Sequence, residues 1–270
     1  MLVFPPCKIN LGLHVLSKRP DGYHNIETCF YPVPCTDILE IIPSDNLAFT
    51  FSGSSISGKE DDNLCVRAYS LLKKDFNVPP VNLHLHKIIP SGAGLGGGSS
   101  DAAATIELLN EILSLGMGIE RLRSYASQLG SDSPFFLEPR PALGSGKGET
   151  LTPIALPLKG KFLMVVSPGI HCSTAEAYRH VKARQPKMPL KKILEQPLTE
   201  WKDTLANDFE PSAFATHPVL HDIKEKLYQR GAWYSSMSGS GSSIFGLFDQ
   251  PRDIGKDFQG MQVWFGKLTQ

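Results

Sequence analysis

Fifteen consecutive residues hold the densest chemistry in the chain: Pro90-Ser91-Gly92-Ala93-Gly94-Leu95-Gly96-Gly97-Gly98-Ser99-Ser100-Asp101-Ala102-Ala103-Ala104. Glycine lets backbone N–H groups approach an anion with no Cβ in the way. The first turn of a helix leaves four N–H groups unpaired, with about half a positive charge behind them. Ser99 and Ser100 add hydroxyls at the same end. The chemistry on offer is phosphate binding. A Walker loop is excluded, because Gly97 is followed by Gly98-Ser99 and no Lys-Ser/Thr closes the pattern. Gly92, Gly94 and Gly97 do match a dinucleotide fingerprint. That fingerprint needs a second strand with an acidic end about 20 residues later, and here Gly116-Met117-Gly118 and another helix follow.

The elements that must position this loop are legible on both sides. Val81 to Ile89 alternates apolar and polar residues, the period of a half-buried strand. Ala102 to Leu113 is rich in helix formers, with Ile106, Leu109 and Leu113 at helical spacing. A flexible linker is not wedged between two such elements.

Other residues are candidates for chemistry. Cys7, Ile9, Leu11, Leu13 and Val15 alternate with Lys8, Asn10, Gly12 and His14. This strand pattern places Lys8 and Asn10 on one face, about 7 Å apart. By itself Lys8 reads as a solvated strand lysine; Asn10 beside it and Gly12 beyond leave that face open to a ligand. Arg19-Pro20-Asp21-Gly22 is a turn, and Tyr23-His24 starts the returning strand. That aromatic pair serves packing equally well as it serves stacking on a planar ring. Asp132, in Gly130-Ser131-Asp132-Ser133-Pro134-Phe135-Phe136, reads locally as a helix N-cap with Pro134 near the first helical position. Ser238-Gly239-Ser240-Gly241-Ser242-Ser243 joins two short strands, and six consecutive Gly and Ser exceed what a hairpin needs.

Further elements follow from pattern. Asp37–Ile42 and Leu47–Phe51 read as strands, Ser52–Asp61 as a polar loop, and Asn63–Phe76 and Ile119–Leu129 as helices, the latter closed by Gly130. Phe162–Ser167 is a buried strand. Ser173-Thr174-Ala175-Glu176 opens a helix as a capping box, and Leu190–Gln196 and Pro218–Gln229 are helices. Asn207-Asp208-Phe209-Glu210-Pro211 reads as a polar turn. A Pro/Gly/Lys segment over Leu156–Lys161 marks a domain boundary.

Composition bounds the function. The 270 residues carry 27 basic and 27 acidic side chains, which argues against a nucleic-acid protein driven by phosphate neutralisation. No run approaches 18 apolar residues, so no membrane partner is expected. The N-terminus lacks a basic region and a cleavage site, so no signal peptide is expected. Five scattered Cys with no C-x-x-C read as reduced thiols, and the expected location is cytoplasmic.

Lys8/Asn10, the Pro90–Ser100 loop and Ser238–Ser243 together resemble the GHMP kinase superfamily, named for galactokinase and the homoserine, mevalonate and phosphomevalonate kinases. The superfamily's middle signature, Pro-x-x-x-Gly-Leu-Gly-(Gly/Ser)-Ser-(Ser/Gly), is similar to the stretch from Pro90 to Ser100. Further stretches resemble the branch that acts on 4-diphosphocytidyl-2-C-methyl-D-erythritol. They are Lys8-Ile9-Asn10-Leu11, Arg19–His24, Gly130–Phe136, Gly148–Pro153, Asn207–Pro211 and Met237–Ser243. The resemblance spans nearly the whole chain.

The resemblance implies an α+β chain of two domains: a mixed α/β ATP-binding domain (1–157) and a ferredoxin-like α/β sandwich (158–270), with the active site in the cleft between them. It implies that ATP, with Mg²⁺, phosphorylates the 2-hydroxyl of the methylerythritol moiety in the non-mevalonate isoprenoid pathway. Asp132 is then the general base and Lys8 its charged partner. Pro90, Ser91, Gly92, Ala93, Gly94, Leu95, Gly96, Gly97, Gly98, Ser99 and Ser100 bind ATP, with Ser99 a candidate for the metal. Asn10, Gly239 and Ser240 bind the alcohol substrate. Tyr23 and His24 bind its cytosine, with Phe30 nearby and Tyr178 stacked on the ring's other side. The chain departs from the branch at Cys7 (usually Ala), Ser131 and Ser133 (Ala and Val), Asp101 (often Asn) and Lys147 (Arg). Two other functions compete: a sister kinase for another small alcohol, against which the Tyr23-His24 hairpin speaks, and a non-catalytic ligand sensor, against which Lys8 and Asp132 speak.

Overall fold

Alternation of apolar and polar residues, cut by Gly and Pro, gives twelve strands in the computed structural model, which describes residues 1–55 and 59–270. They are β1 (Leu2–Val3), β2 (Pro6–Lys18), β3 (His24–Thr36), β4 (Ile38–Pro43), β5 (Ala48–Gly53), β6 (Val81–Lys87), β7 (Ala142–Ser145), β8 (Thr150–Pro153), β9 (Phe162–Ser167), β10 (Tyr234–Met237), β11 (Ile244–Phe248) and β12 (Gln262–Lys267). The helices are α1 (Leu64–Asp75), α2 (Gly97–Ile112), α3 (Ile119–Leu129), α4 (Thr174–His180), α5 (Leu190–Leu194), α6 (Trp201–Thr204), α7 (Glu210–Thr216) and α8 (Pro218–Gln229). Part of the loop expected over Ser52–Asp61, residues 56–58, lies outside the described residues.

The chain divides into two compact units that interleave in sequence. One holds Met1–Cys7, Cys35–Ser91 and Gly96–Pro139; the other holds Lys8–Pro34, Gly92–Leu95 and Arg140–Gln270.

In the first unit the sheet order is β1-β4-β6-β5, with β5 parallel to β6 and the other pairs antiparallel. Helices α1, α2 and α3 pack on one another, and α2 also on β4. Cys65, Ala68, Tyr69 and Leu72 of α1 and Ala102, Ala103, Ile106 and Leu109 of α2 are buried. Helix α2 begins at Gly97, earlier than the run of helix formers from Ala102. Gly96, left-handed at φ 71, sets the turn, so Gly97-Gly98-Ser99-Ser100 is the first helical turn itself. Gly130 caps α3 with an extended backbone, its N–H bonded to Ala126 O.

A buried ionic knot ties this unit together. The Lys87 ammonium bonds Asp37 Oδ2 and, at 2.7 Å, Asp101 Oδ2. Asp37 Oδ1 accepts the N–H groups of Ile88 (2.6 Å) and Ile89 (2.8 Å). Burial, with Asp37 also close, holds the Asp101 carboxyl up to about 7 even though Lys87 opposes the shift. The same two carboxylates raise the Lys87 pKa against its desolvation.

In the second unit β2-β3-β7-β8 form one sheet and β10-β11-β9-β12 another. The latter is antiparallel throughout. Its order, second-third-first-fourth in chain sense, is that of a ferredoxin-like sandwich. Helix α8 buries Leu220, Ile223 and Leu227 against β10 and β11. Strands β7, β8 and β12 and helices α6 and α7 were not expected from sequence; all are seven residues or shorter, too short for periodicity to mark them. The capping box at α4 forms, with Ser173 Oγ accepting from Glu176 N.

Replacing Lys87 with Met leaves two carboxylates buried together, so Lys87→Met should lower unfolding free energy by about 3–5 kcal/mol, read from a urea midpoint. A native Asp101 pKa above the unfolded value means the folded state holds a proton that the unfolded chain has lost. This contribution to stability is present at low pH and falls as pH rises towards about 7. Stability of Asp101→Asn should therefore depend less on pH than that of the parent; an unchanged slope would contradict the assignment.

Candidate active site

Lys8 sits on β2 and is only 3% exposed, so it is not the solvated lysine that its local pattern suggests. A buried ammonium must be surrounded by oxygen. Lys8 Nζ donates to Asn10 Oδ1 at 2.5 Å and Gly94 O at 2.9 Å, and lies 5.4 Å from the Phe30 ring centroid. Asn10, 2% exposed, is held in turn: its Nδ2 donates to Thr28 Oγ1 at 2.9 Å, and Thr28 Oγ1 donates to Gly12 O at 2.6 Å. Gly12 does not open this face to a ligand as expected. Leu205 and Leu190 methyls lie 2.6 and 2.7 Å from where its Cβ would stand, so its missing side chain makes room for core packing.

Two glycine turns meet in the same unit. Ser238 Oγ donates to Gly94 O at 2.9 Å, and Ser243 N donates to Ala93 O at 3.1 Å. A Cβ on Gly94 would stand 2.0 Å from Ser238 O, and Gly94 has φ 78, so only glycine fits. Gly239, at φ 57, approaches both Gly94 O and Asn10 Oδ1, and Ser240 Oγ pairs with Thr174 Oγ1 at 3.0 Å.

The Asn207–Pro211 segment, read from sequence as a polar turn, clamps the second glycine turn. Asn207 Nδ2 donates to Met237 O and Gly239 O, both at 2.8 Å. Glu210 Oε1 accepts from Met237 N and Ser236 Oγ, both at 2.8 Å. Asp208 Oδ2 accepts from Val15 N on β2 at 2.9 Å.

The other unit holds the N-terminus of α2 and Asp132. Helix α2 has no side-chain N-cap, so the first-turn N–H groups ahead of Ser100 meet no capping side chain. Gly97 is packed from beneath, with Ile89 Cγ2 2.9 Å and Lys87 Nζ 3.0 Å from its would-be Cβ. Ser100 Oγ is buried without a hydrogen-bond partner among the described residues. Pro90 and Ser91 lead into this loop, and Gly98 and Ser99 are less buried than Gly97. Asp132 stands at the cap position of a 3-10 turn, Ser133–Leu137, yet its side chain makes no capping bond. The cap explanation therefore fails for this carboxylate. Ser131 Oγ donates to Asp132 Oδ1 at 3.3 Å. Ser133 and Ser99 hydroxyls lie 3.2 and 3.3 Å from where a Cβ on Gly130 would be, so this turn packs directly on the start of α2. Among the described residues no trio of His, Cys, Asp or Glu is placed to hold a metal ion. No described helix is long and apolar enough to cross a membrane.

Comparison with known proteins decides the family. Residues 63–138 match the GHMP kinases N terminal domain and residues 190–262 the GHMP kinases C terminal domain. A 4-diphosphocytidyl-2-C-methyl-D-erythritol kinase of Parabacteroides distasonis is 46% identical over the whole of both chains. One of Cytophaga hutchinsonii is 50% identical over 92% of this chain and 93% of its own. A solved 4-(cytidine 5'-diphospho)-2C-methyl-D-erythritol kinase superposes with a TM-score of 0.85 at 35% identity, covering all of both chains. A homoserine kinase of Cytophaga hutchinsonii shares the fold, with a TM-score of 0.66 at 16% identity over 98% and 95% of the chains. The chain belongs to the GHMP kinase family.

A GHMP kinase takes ATP as phosphate donor, and the uncapped, glycine-lined start of α2 is suited to its phosphates. The hairpin carries the other candidates. Gly22, at φ 84, closes its turn, and Asp21 Oδ1 accepts from Tyr23 N at 3.1 Å. Tyr23 is 61% exposed, with the Lys147 ammonium 4.8 Å from its ring centroid. His24 stacks on Tyr178 at 4.9 Å and 18°, and Tyr178 meets the Phe209 ring edge-on. A planar base reaching that face of Tyr178 would replace the His24 ring there. Phe30 is buried, covered by Lys8 and by Gly144, and supports Lys8 from below.

Sequence reasoning on this GHMP kinase missed the clamp made by Asn207 and Glu210; their amide and carboxylate in one short polar segment were the available signal. Asn207→Ala strips two buried carbonyls of their donor. It should cost about 1–3 kcal/mol of stability, measured by denaturant unfolding; an unchanged midpoint would show that the turn holds itself.

Proposed function

We propose that this GHMP kinase transfers the γ-phosphoryl group of ATP to the 2-hydroxyl of 4-diphosphocytidyl-2-C-methyl-D-erythritol, within the non-mevalonate route to isoprenoid precursors. The observation that carries the reading is identity of 46% over the full length of a relative with that activity in its name. The exposed Tyr23 beside His24 supports it, because a cytosine offers a flat ring and a hydrogen-bonding edge to such a pair.

Phosphoryl transfer is chiefly positioning and charge stabilisation. The N–H groups of the Pro90–Ser100 loop and of the first turn of α2 hold the phosphates. The Ser99 hydroxyl would be the protein's ligand to Mg²⁺ brought by ATP, and the metal would supply positive charge to the phosphates. Asp132 accepts the proton of the attacking alcohol. Lys8 supplies positive charge for the negative charge that develops as the alcohol is deprotonated. Asn10, Gly239 and Ser240 orient the methylerythritol diphosphate, and Tyr23, His24 and Tyr178 bind the cytosine. The domain division that goes with this reading, 1–157 and 158–270, is one by sequence and is distinct from the interleaved compact units.

ADP release measured across candidate alcohols tests the substrate: turnover with the cytidylyl alcohol and none with mevalonate or homoserine is expected, and the reverse pattern refutes the assignment. Asp132→Asn should keep ATP binding while kcat falls by about 10²–10⁴, the usual worth of a general base; near-normal turnover would remove Asp132 from the mechanism. Tyr23→Ala should raise KM for the cytidylyl substrate much more than for ATP, and equal effects on both would sink the cytosine assignment.

A further inference from the structure

The loop that leaves β9 is stitched to the second glycine turn at several points. Ser242 Oγ donates to Ile170 O at 2.5 Å. Cys172 Sγ lies 3.5 Å from where a Cβ on Gly241 would stand. Thr174 Oγ1 and Ser240 Oγ are 3.0 Å apart. These anchors flank His171 on both sides, so its backbone is fixed although its side chain is exposed.

The His171 ring lies over the first glycine turn. Its Nδ1 is 3.3 Å and its Cε1 3.7 Å from where a Cβ on Gly92 would be. Gly92 has φ 66, so that turn excludes a side chain by conformation, and the imidazole occupies the space beside it. Neither ring nitrogen has a hydrogen-bond or ion-pair partner among the described residues. An imidazole donates from one nitrogen when neutral and from both when protonated. A phosphate oxygen is the strongest acceptor that a bare glycine turn of this kind receives.

We infer that His171 is a further phosphate-binding residue, donating an imidazole N–H to a phosphate oxygen held at the Gly92–Leu95 turn. This rests on the kinase reading. The phosphate belongs either to the donor nucleotide or to the diphosphate of the acceptor alcohol, and binding distinguishes the two. A backbone already anchored on both sides of His171 loses little freedom when the ring takes up the ligand.

Calorimetric titration of the full chain with a non-hydrolysable ATP analogue, and separately with the cytidylyl alcohol, tests the inference in the parent, His171→Ala and His171→Gln. Loss of one charge-assisted hydrogen bond should raise Kd for one of the two ligands by about fivefold or more in His171→Ala. The other Kd should stay within about twofold, and Gln, which keeps an N–H donor, should recover part of the loss. The affected arm names the source of the phosphate. Unchanged Kd values for both ligands in a folded His171→Ala overturn the inference and leave the kinase reading standing. A parent chain that binds neither ligand overturns both.

Discussion

An ammonium group buried to within a few per cent has to be met by oxygen from every accessible direction, and the second unit is built around that requirement at Lys8. Asn10 supplies one oxygen from the same strand and Gly94 another from the glycine turn. Asn10 then needs Thr28 on the neighbouring strand to fix its amide. Gly94 needs Ser238 to share its carbonyl, and Ser238 needs the Asn207–Glu210 clamp to hold its turn. Each link answers a desolvation cost raised by the previous one. The result is a charge in a fixed place.

The first unit solves a related problem with opposite charge balance. Lys87 is shared by two carboxylates, so the knot beneath α2 has one more acid than base. Burial resolves the excess by pushing the Asp101 carboxyl up towards neutrality. Lys87 also lies directly under Gly97, so the ion that organises the core stands at the foot of the glycine-lined first turn of α2.

Residue type marked the candidates in the sequence: the glycine run by its composition, and Lys8, Asn10 and Asp132 by position. What the sequence concealed were the partners. Lys8 looked like a solvated strand position because Gly94, which helps bury it, lies 86 residues away, and the pattern around Lys87 did not show that Asp37 and Asp101, 50 and 14 residues away, enclose it. Gly12 looked like an opening because Leu190 and Leu205 are distant in sequence. The Asn207–Pro211 segment looked like a turn because its targets are carbonyls some thirty residues on, which side-chain pattern does not record. The start of α2 was misplaced because glycine is a poor helix former, yet left-handed Gly96 launches the helix there.

Asn10 and Ser238 are hydrogen-bonded across 228 residues of chain. During synthesis from the N-terminus, β2 and β3 therefore leave the ribosome long before the Ser238 turn that meets Asn10 exists. Every segment of the first unit has been made by Pro139, whereas the second unit waits for residues beyond Ser238. The nascent chain carries the Lys8 ammonium in water until then, and no contiguous fragment contains either unit alone. Truncation from either end thus removes part of a core rather than a whole module, and the last segment translated completes the surroundings of one of the first.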